Sequence, residues 1–277
     1  MSTQTFQDYL RAKFSSQNSG TIHSYIKAIQ ILDDIFSQQD VFELNSKSLT
    51  DIKDPVLISR IIDYVAEEED KFRREENSIF RLGNPNQTSY PKKRFCTAAI
   101  RRLGEYINRI CCLEATDIMM HEVRNGAKLS KKLRDRFNIN EVGTDHIIRA
   151  KHRLGQNIFR AMLLDIYNSK CCLTGIDIPE VLRASHIIPW AENSTTRLNP
   201  ENGLCLSATY DAAFDKYLIT FDEDYRLVLS PYLKEVYTSE AFHKYFLAFE
   251  GKAIELPTLY APSQNFLQKH RERLLGA

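Results

Sequence analysis

The run Arg183-Ala184-Ser185-His186-Ile187-Ile188-Pro189-Trp190 puts a histidine near the end of an apolar stretch, and polar residues follow it at fixed distances. Sixteen residues after His186 comes Asn202-Gly203. Nine after Asn202 comes Asp211, in Tyr210-Asp211-Ala212-Ala213-Phe214-Asp215. Histidine is the side chain suited to take a proton from an attacking water near neutral pH, because its unperturbed pKa of about 6.5 keeps it largely neutral there. To do so it must be held by regular elements. Residues 181–188 are β-branched-rich and stop at Pro189, as a strand does. Residues 191–203 form a turn-rich loop, 203–206 a short second strand, and 208–216 a two-turn helix. The expected unit is β-loop-β-α, with His186 at the end of one strand and Asp211 on the helix packed across it.

That arrangement resembles the HNH motif, the ββα-metal site of many DNA endonucleases. Upstream, Arg153, Gly155, Gln156, Phe159, Arg160, Leu163-Leu164, Tyr167 and Cys172-Leu-Thr174-Gly175 resemble the lead-in of the restriction-endonuclease-like subfamily; downstream, Ala213-Phe214-Asp215-Lys216-Tyr217-Leu218-Ile219 resembles its exit into a hairpin. The likeness covers about residues 150–275 and says little about residues 1–115. It implies that His186 is the general base and that Asn202 is the amide tying the loop to the strand. Asp211 stands where the family places a metal ligand. A carboxylate there favours Mg²⁺, with Mn²⁺ as a substitute, acting as a Lewis acid on the phosphate. Family members often carry Asp or His directly before the base as a second ligand. Here Ser185 stands there, and Asp215 is the candidate to compensate, unless it only caps or pairs with Lys216.

Arg183 and Arg197 are candidates to hold phosphates bidentately. Trp190 is expected to pack the loop, and the other histidines, His270 among them, are read as structural or exposed. Many HNH proteins hold a structural zinc between two C-x-x-C pairs. In this chain Thr174 fills the second position of the first pair and no pair follows Asn202, so no structural zinc is expected.

The composition is that of a soluble globular protein. No run of eighteen apolar residues occurs and residues 1–8 lack the pattern of a signal peptide, so the expected location is cytoplasmic with no membrane partner. Six cysteines, at 96, 111, 112, 171, 172 and 205, are read as reduced thiols. The net charge of +1 conceals an asymmetry: residues 71–160 hold 20 Lys and Arg against 9 Asp and Glu, while the segments on either side are net acidic. The basic segment is therefore the expected phosphate-binding part, since neutralising phosphates and releasing their counterions supplies most non-specific DNA affinity.

Residues 1–115 read as a helical domain that serves packing or DNA and target recognition. Ile22, Tyr25, Ile26, Ile29, Leu32 and Phe36 mark a first helix, and Asp54-Pro55 opens a second as N-cap and first position. The acidic run Glu67-Glu68-Glu69-Asp70 reads as a solvated helix end, and residues 82–91 as a loop. A third helix is expected from Pro91 to about Leu113, with Lys92, Lys93, Arg94, Arg101 and Arg102 on or beside it as DNA-backbone contacts. Residues 116–150 read as a basic linker and 151–277 as the nuclease domain, which closes with a hairpin and two further helices. The fold class is thus α+β and mostly helical, an N-terminal helical domain followed by a C-terminal ββα-metal domain. The function expected is a metal-dependent endonuclease acting on double-stranded DNA in restriction or defence. Cutting both strands with one site implies a homodimer or successive nicks. The alternative is a non-catalytic DNA-binding protein whose HNH site has decayed, for which Ser185 is the best evidence.

Overall fold

The computed structural model describes residues 5–14, 19–39, 41–44, 47–81, 88–121 and 124–276. It divides into two compact units, residues 1–111 with 142–151, and residues 112–141 with 152–277. Among the described residues no helix is long and apolar enough to cross a membrane. All six cysteines are free thiols.

The first unit is helical. Helix α1 (Phe6–Lys13) starts at a reciprocal cap between Thr5 and Asp8. Helix α2 (Ser19–Gln39) buries Ile29, Leu32 and Phe36, and α3 (Pro55–Arg73) begins as expected, with the Asp54 carboxylate accepting from Val56 N at 2.8 Å. The third expected helix is broken in two. A single turn, α4 (Ser89–Lys92), ends before Arg94, whose φ of 59° is left-handed, and α5 (Phe95–His121) restarts beyond it. Residues 82–87 of the expected loop lie outside the described residues.

The cause of the restart is a residue expected in solvent. Glu69 is fully buried, and its carboxylate accepts from Cys96 N at 3.0 Å and Thr97 N at 3.1 Å, the first free amides of α5. Glu68 is buried as well, accepting from Ile79 N at 2.9 Å and from Lys71 at 2.8 Å. Only Glu67 is exposed, as the solvated reading requires of all of them. The acidic run is a cap donated by one helix to the next.

In the second unit, α6 (Gly126–Arg136) forms inside the stretch read as linker. Asn125 caps it, accepting from Lys128 N at 2.9 Å, and it buries Leu129 and Leu133 one turn apart. Basic residues fill its other faces, which is why its apolar stripe is so thin. Helix α7 (Asp145–Ile166) supplies, from His152 onward, the long apolar face of this unit, with Ile158, Phe159, Met162 and Leu163 buried. Against it lies a two-stranded antiparallel sheet of β1 (Leu182–His186) and β2 (Gly203–Ser207), followed at once by α8 (Ala208–Asp215). A second antiparallel pair, β3 (Ile219–Phe221) and β4 (Leu227–Leu229), continues the chain. Three short helices end it, α9 (Pro231–Val236), α10 (Glu240–Tyr245) and α11 (Gln264–Arg271). The architecture is α+β and mostly helical, with the β-loop-β-α unit towards the C-terminus, as the sequence predicts.

Replacing Glu69 by Ala would leave two buried amides without an acceptor, and we expect it to lower unfolding stability by about 2 to 4 kcal/mol. Glu67→Ala, at an exposed ion pair with Lys71, should cost less than about 1 kcal/mol. Urea denaturation of both variants checks the contrast. Equal losses would mean that Glu69 is not the cap.

Candidate functional site

In the β1–β2 ladder His186 lies opposite Gly203 and Ser185 opposite Leu204. The glycine is a packing requirement. A Cβ at residue 203 would come within 2.5 Å of Leu163 Cδ1 and 2.6 Å of Phe159 Cζ, so only glycine lets β2 lie against α7 at this point. That close approach brings the Phe159 ring onto the His186 imidazole, stacked at 3.7 Å between centroids and 15° between planes. The Trp190 ring meets the same imidazole edge-on at 5.5 Å and 84°. Gly155 on α7 makes room for Trp190 in turn, since a Cβ there would fall 2.6 Å from Cη2.

Two aromatic contacts fix the plane of the imidazole, and one hydrogen bond fixes its proton. His186 Nε2 lies 3.0 Å from the backbone oxygen of Arg197. A carbonyl can only accept, so Nε2 carries the hydrogen and Nδ1 keeps a lone pair. Burial is the largest influence on this imidazole and pushes its pKa down to about 4, overriding the carbonyl bond that favours the protonated form. At neutral pH the histidine is a free base of one tautomer.

The loop bearing the Arg197 carbonyl is held by Asn202, whose side chain is fully buried. Its Oδ1 accepts from Ile188 N at 2.8 Å, and its Nδ2 donates to Ile188 O at 3.1 Å and Thr196 O at 3.4 Å. Its own carbonyl accepts from Ile187 N at 3.0 Å. The loop is also tied outward, by Ser130 Oγ donating to Thr195 O at 2.7 Å from α6.

Helix α8 carries the carboxylates. Ser185 donates its hydroxyl to Asp211 Oδ1 at 2.5 Å, holding the aspartate beside the strand that bears the base. Asp215 lies one turn further on. Its carboxyl pKa is raised, by burial first and by the charge of Asp211 second. The far end of α8 is fixed by His270 on α11, which donates from Nε2 to Phe214 O at 3.1 Å and stacks on the Phe214 ring at 3.7 Å. His270 is buried, with its pKa pushed down to about 4 mainly by that burial. His186, Ser185, Asp211 and Asp215 share a cleft of about 580 Å³, whose wall also includes Arg160 and Arg183.

The structure thus brings His186, Asp211, Asp215 and Arg183 to one cleft and sets Asn202 buried behind it as the tie of the loop, but treats Arg197 differently. The Arg197 side chain is buried, donating from Nε to Trp190 O at 2.8 Å and pairing with Glu141 at 2.8 Å, with its guanidinium over the Trp190 ring. It braces the loop instead of presenting its fork to solvent. Lys92, Lys93, Arg94, Arg101 and Arg102 belong to the first unit. Lys92, Lys93 and Arg101 are exposed, Arg94 pairs with Asp70, and Arg102 pairs with Glu105 at 2.6 Å. Sequence reasoning did not assign Phe159 a place at the base. Its signal was present in the helical spacing of α7, which set it on the buried face without saying what lay beyond.

Residues 171–222 match the family model described as HNH endonuclease. The match covers both strands, the loop between them and α8, so this part of the chain is an HNH endonuclease domain. No curated protein is similar enough to the chain to add to that finding.

Because burial favours neutral imidazole at both His186 and His270, the unfolded chain takes up protons that the folded chain refuses as pH falls from about 6.5 to about 4. Stability should therefore be full above this window and decline through it. Urea denaturation at a series of pH values checks the slope, and His270→Asn should flatten it. Nitrogen-15 imidazole spectra should report the Nε2–H tautomer of His186 down to a pH of about 5; a neutral Nδ1–H tautomer would contradict the assignment.

Proposed function

We propose that this chain is a divalent-metal-dependent DNA endonuclease, acting on double-stranded DNA in restriction or defence within the cytoplasm. The observation that carries the reading is the single cleft shared by a neutral histidine with its Nδ1 lone pair free and by two aspartates one helical turn apart. A nuclease needs a base for water and a counter-charge for the phosphorane-like transition state, and here the base and the carboxylates that would hold a cation lie on adjoining elements.

The donor set fits a hard cation. Asp211 and Asp215 offer carboxylate oxygens, and the mutual repulsion that helps raise the Asp215 carboxyl is what a bound cation would relieve. Among the described residues no cluster of three or more His, Cys, Asp or Glu is placed to hold a metal. Mg²⁺ suits so sparse a set, because it keeps several waters and takes one or two carboxylates together with phosphate oxygens. When bound, the cation supplies Lewis acidity towards the phosphate and the leaving oxygen.

The chain's own residues do the rest. His186 Nδ1 accepts the proton of the attacking water, while the Arg197 carbonyl keeps Nε2 protonated and steadies the imidazolium that results. Phe159 and Trp190 hold the ring plane through the transfer. Ser185 fixes one oxygen of Asp211, so the serine that could signal a decayed site has a positioning part to play, which favours the catalytic reading over a binding protein. Lys92, Lys93 and Arg101 are proposed to contact the DNA backbone, and cutting of both strands is proposed to use two copies of the chain or two successive nicks.

His186→Ala should lower cleavage of plasmid DNA by on the order of a hundred- to ten-thousand-fold without altering the Mg²⁺ dependence. Asp211→Ala should lose activity and also require more Mg²⁺ for what remains. Methylated and unmethylated plasmids, each with Mg²⁺ or with chelator, make the comparison. Wild-type cleavage by His186→Ala, or no metal-dependent cleavage by the wild type on any DNA tried, would overturn the reading.

A further inference from the structure

Two arginines at the start of β1 meet on one backbone oxygen. Arg160 of α7 donates from Nη1 to Leu182 O at 2.7 Å, and Arg183 of β1 donates from Nη1 to the same oxygen at 2.8 Å. Each has a second backbone acceptor: Arg160 Nη2 donates to Pro179 O at 2.7 Å, and Arg183 Nη1 to Glu180 O at 3.1 Å. Two guanidiniums are thereby held side by side, although like charges at this range repel. Among the described residues no carboxylate pairs with either one, whereas Arg94, Arg102, Arg136 and Arg197 all have an acidic partner. Both line the cleft that contains His186 and Asp211.

We propose that Arg160 and Arg183 form a phosphate clamp, a subsite that grips one backbone phosphate of the nucleic acid next to the phosphate under attack. The inference rests on the endonuclease reading and names how that site holds its substrate. Each guanidinium has five N–H donors, and each spends only one or two of its nitrogens on carbonyls, so the others remain for an anion. Leu182 O and Pro179 O act as struts that set the forks before substrate arrives, which lowers the ordering cost on binding. A phosphate between the two neutralises the repulsion that the carbonyls alone leave in place. The same α7 surface offers Gln156 and Asn157, both exposed, one turn before Arg160 and on the same cleft. Along this wall the cleft presents hydrogen-bond donors suited to phosphate, while Asp211 and Asp215 supply its negative charge.

The clamp is tested by binding alone, in chelator, with a fluorescein-labelled double-stranded DNA oligonucleotide titrated at several salt concentrations. One phosphate contact contributes a slope of about −0.9 to the dependence of log affinity on log salt. Arg183→Gln, at an exposed side chain, should bind about tenfold more weakly at fixed salt and make the slope shallower by about 0.9. Arg160→Gln should do the same, and the double variant should reach no shallower a slope than either single one, because both forks hold one phosphate. Arg183→Lys, which keeps the charge and loses the fork, should retain the slope and lose affinity; it is also the variant to rely on if Arg160→Gln fails to fold. An unchanged slope in Arg183→Gln, a double variant that loses two contacts, or absence of DNA binding by the wild type would each overturn the clamp. Failure here with intact metal-dependent plasmid cleavage leaves the endonuclease reading standing, whereas a binding result as expected without any cleavage overturns that reading and leaves Arg160 and Arg183 as a phosphate subsite of a DNA-binding protein.

Discussion

The site depends on one buried amide. Asn202 joins the two ends of the loop between β1 and β2, using its carbonyl oxygen and its NH₂ on the main chain of Ile188 and reaching Thr196 as well. Remove that amide and several buried polar groups lose their partners together, in a low-dielectric setting where each is costly to leave unpaired. The path of the loop sets where the Arg197 carbonyl lies. The Arg197 carbonyl sets which nitrogen of His186 carries the proton. A hydrogen bond fourteen residues from its partner in sequence is thus the mechanical origin of a tautomer.

Burial acts on the two halves of the site with opposite sign and the same purpose. It disfavours charge on His186 and so lowers that pKa; it disfavours charge on Asp215 and so raises that one. The histidine is left as a ready proton acceptor, and the Asp215 carboxyl is held towards its neutral form. Phe159, pressed on the imidazole from α7, is one of the two aromatic rings that cover it, with Trp190. The glycine at 203 is what permits the pressing.

The β-loop-β-α unit was legible in the sequence to within a residue or two, because β-branched residues, Pro189, Asn202-Gly203 and the short helix each mark a boundary by local chemistry. The second hairpin and the start of α3 were legible for the same reason. What escaped was set by tertiary contact. Glu69 is an acid among acids until α5 begins against it, and no window of sequence shows that its neighbours include two bare amides. Arg197 has the composition of a phosphate ligand, yet Glu141 and the face of Trp190 claim it, one from far along the chain. Helix α6 has so thin an apolar stripe that its basic residues dominate any reading. Ser185 was legible as a departure from the family pattern and illegible as a donor to Asp211, since the pairing spans strand and helix.

The proton acceptor sits on a strand, while both acidic side chains ride on a two-turn helix pinned at two separate points, by Ser185 at Asp211 in its middle and by His270 beneath Phe214 near its C-terminal end. A rigid tilt of α8 would therefore move the two aspartates as a pair and leave the imidazole where it is. Alignment between the halves becomes a single mechanical coordinate, and α11, remote in sequence from the histidine, holds one end of the lever.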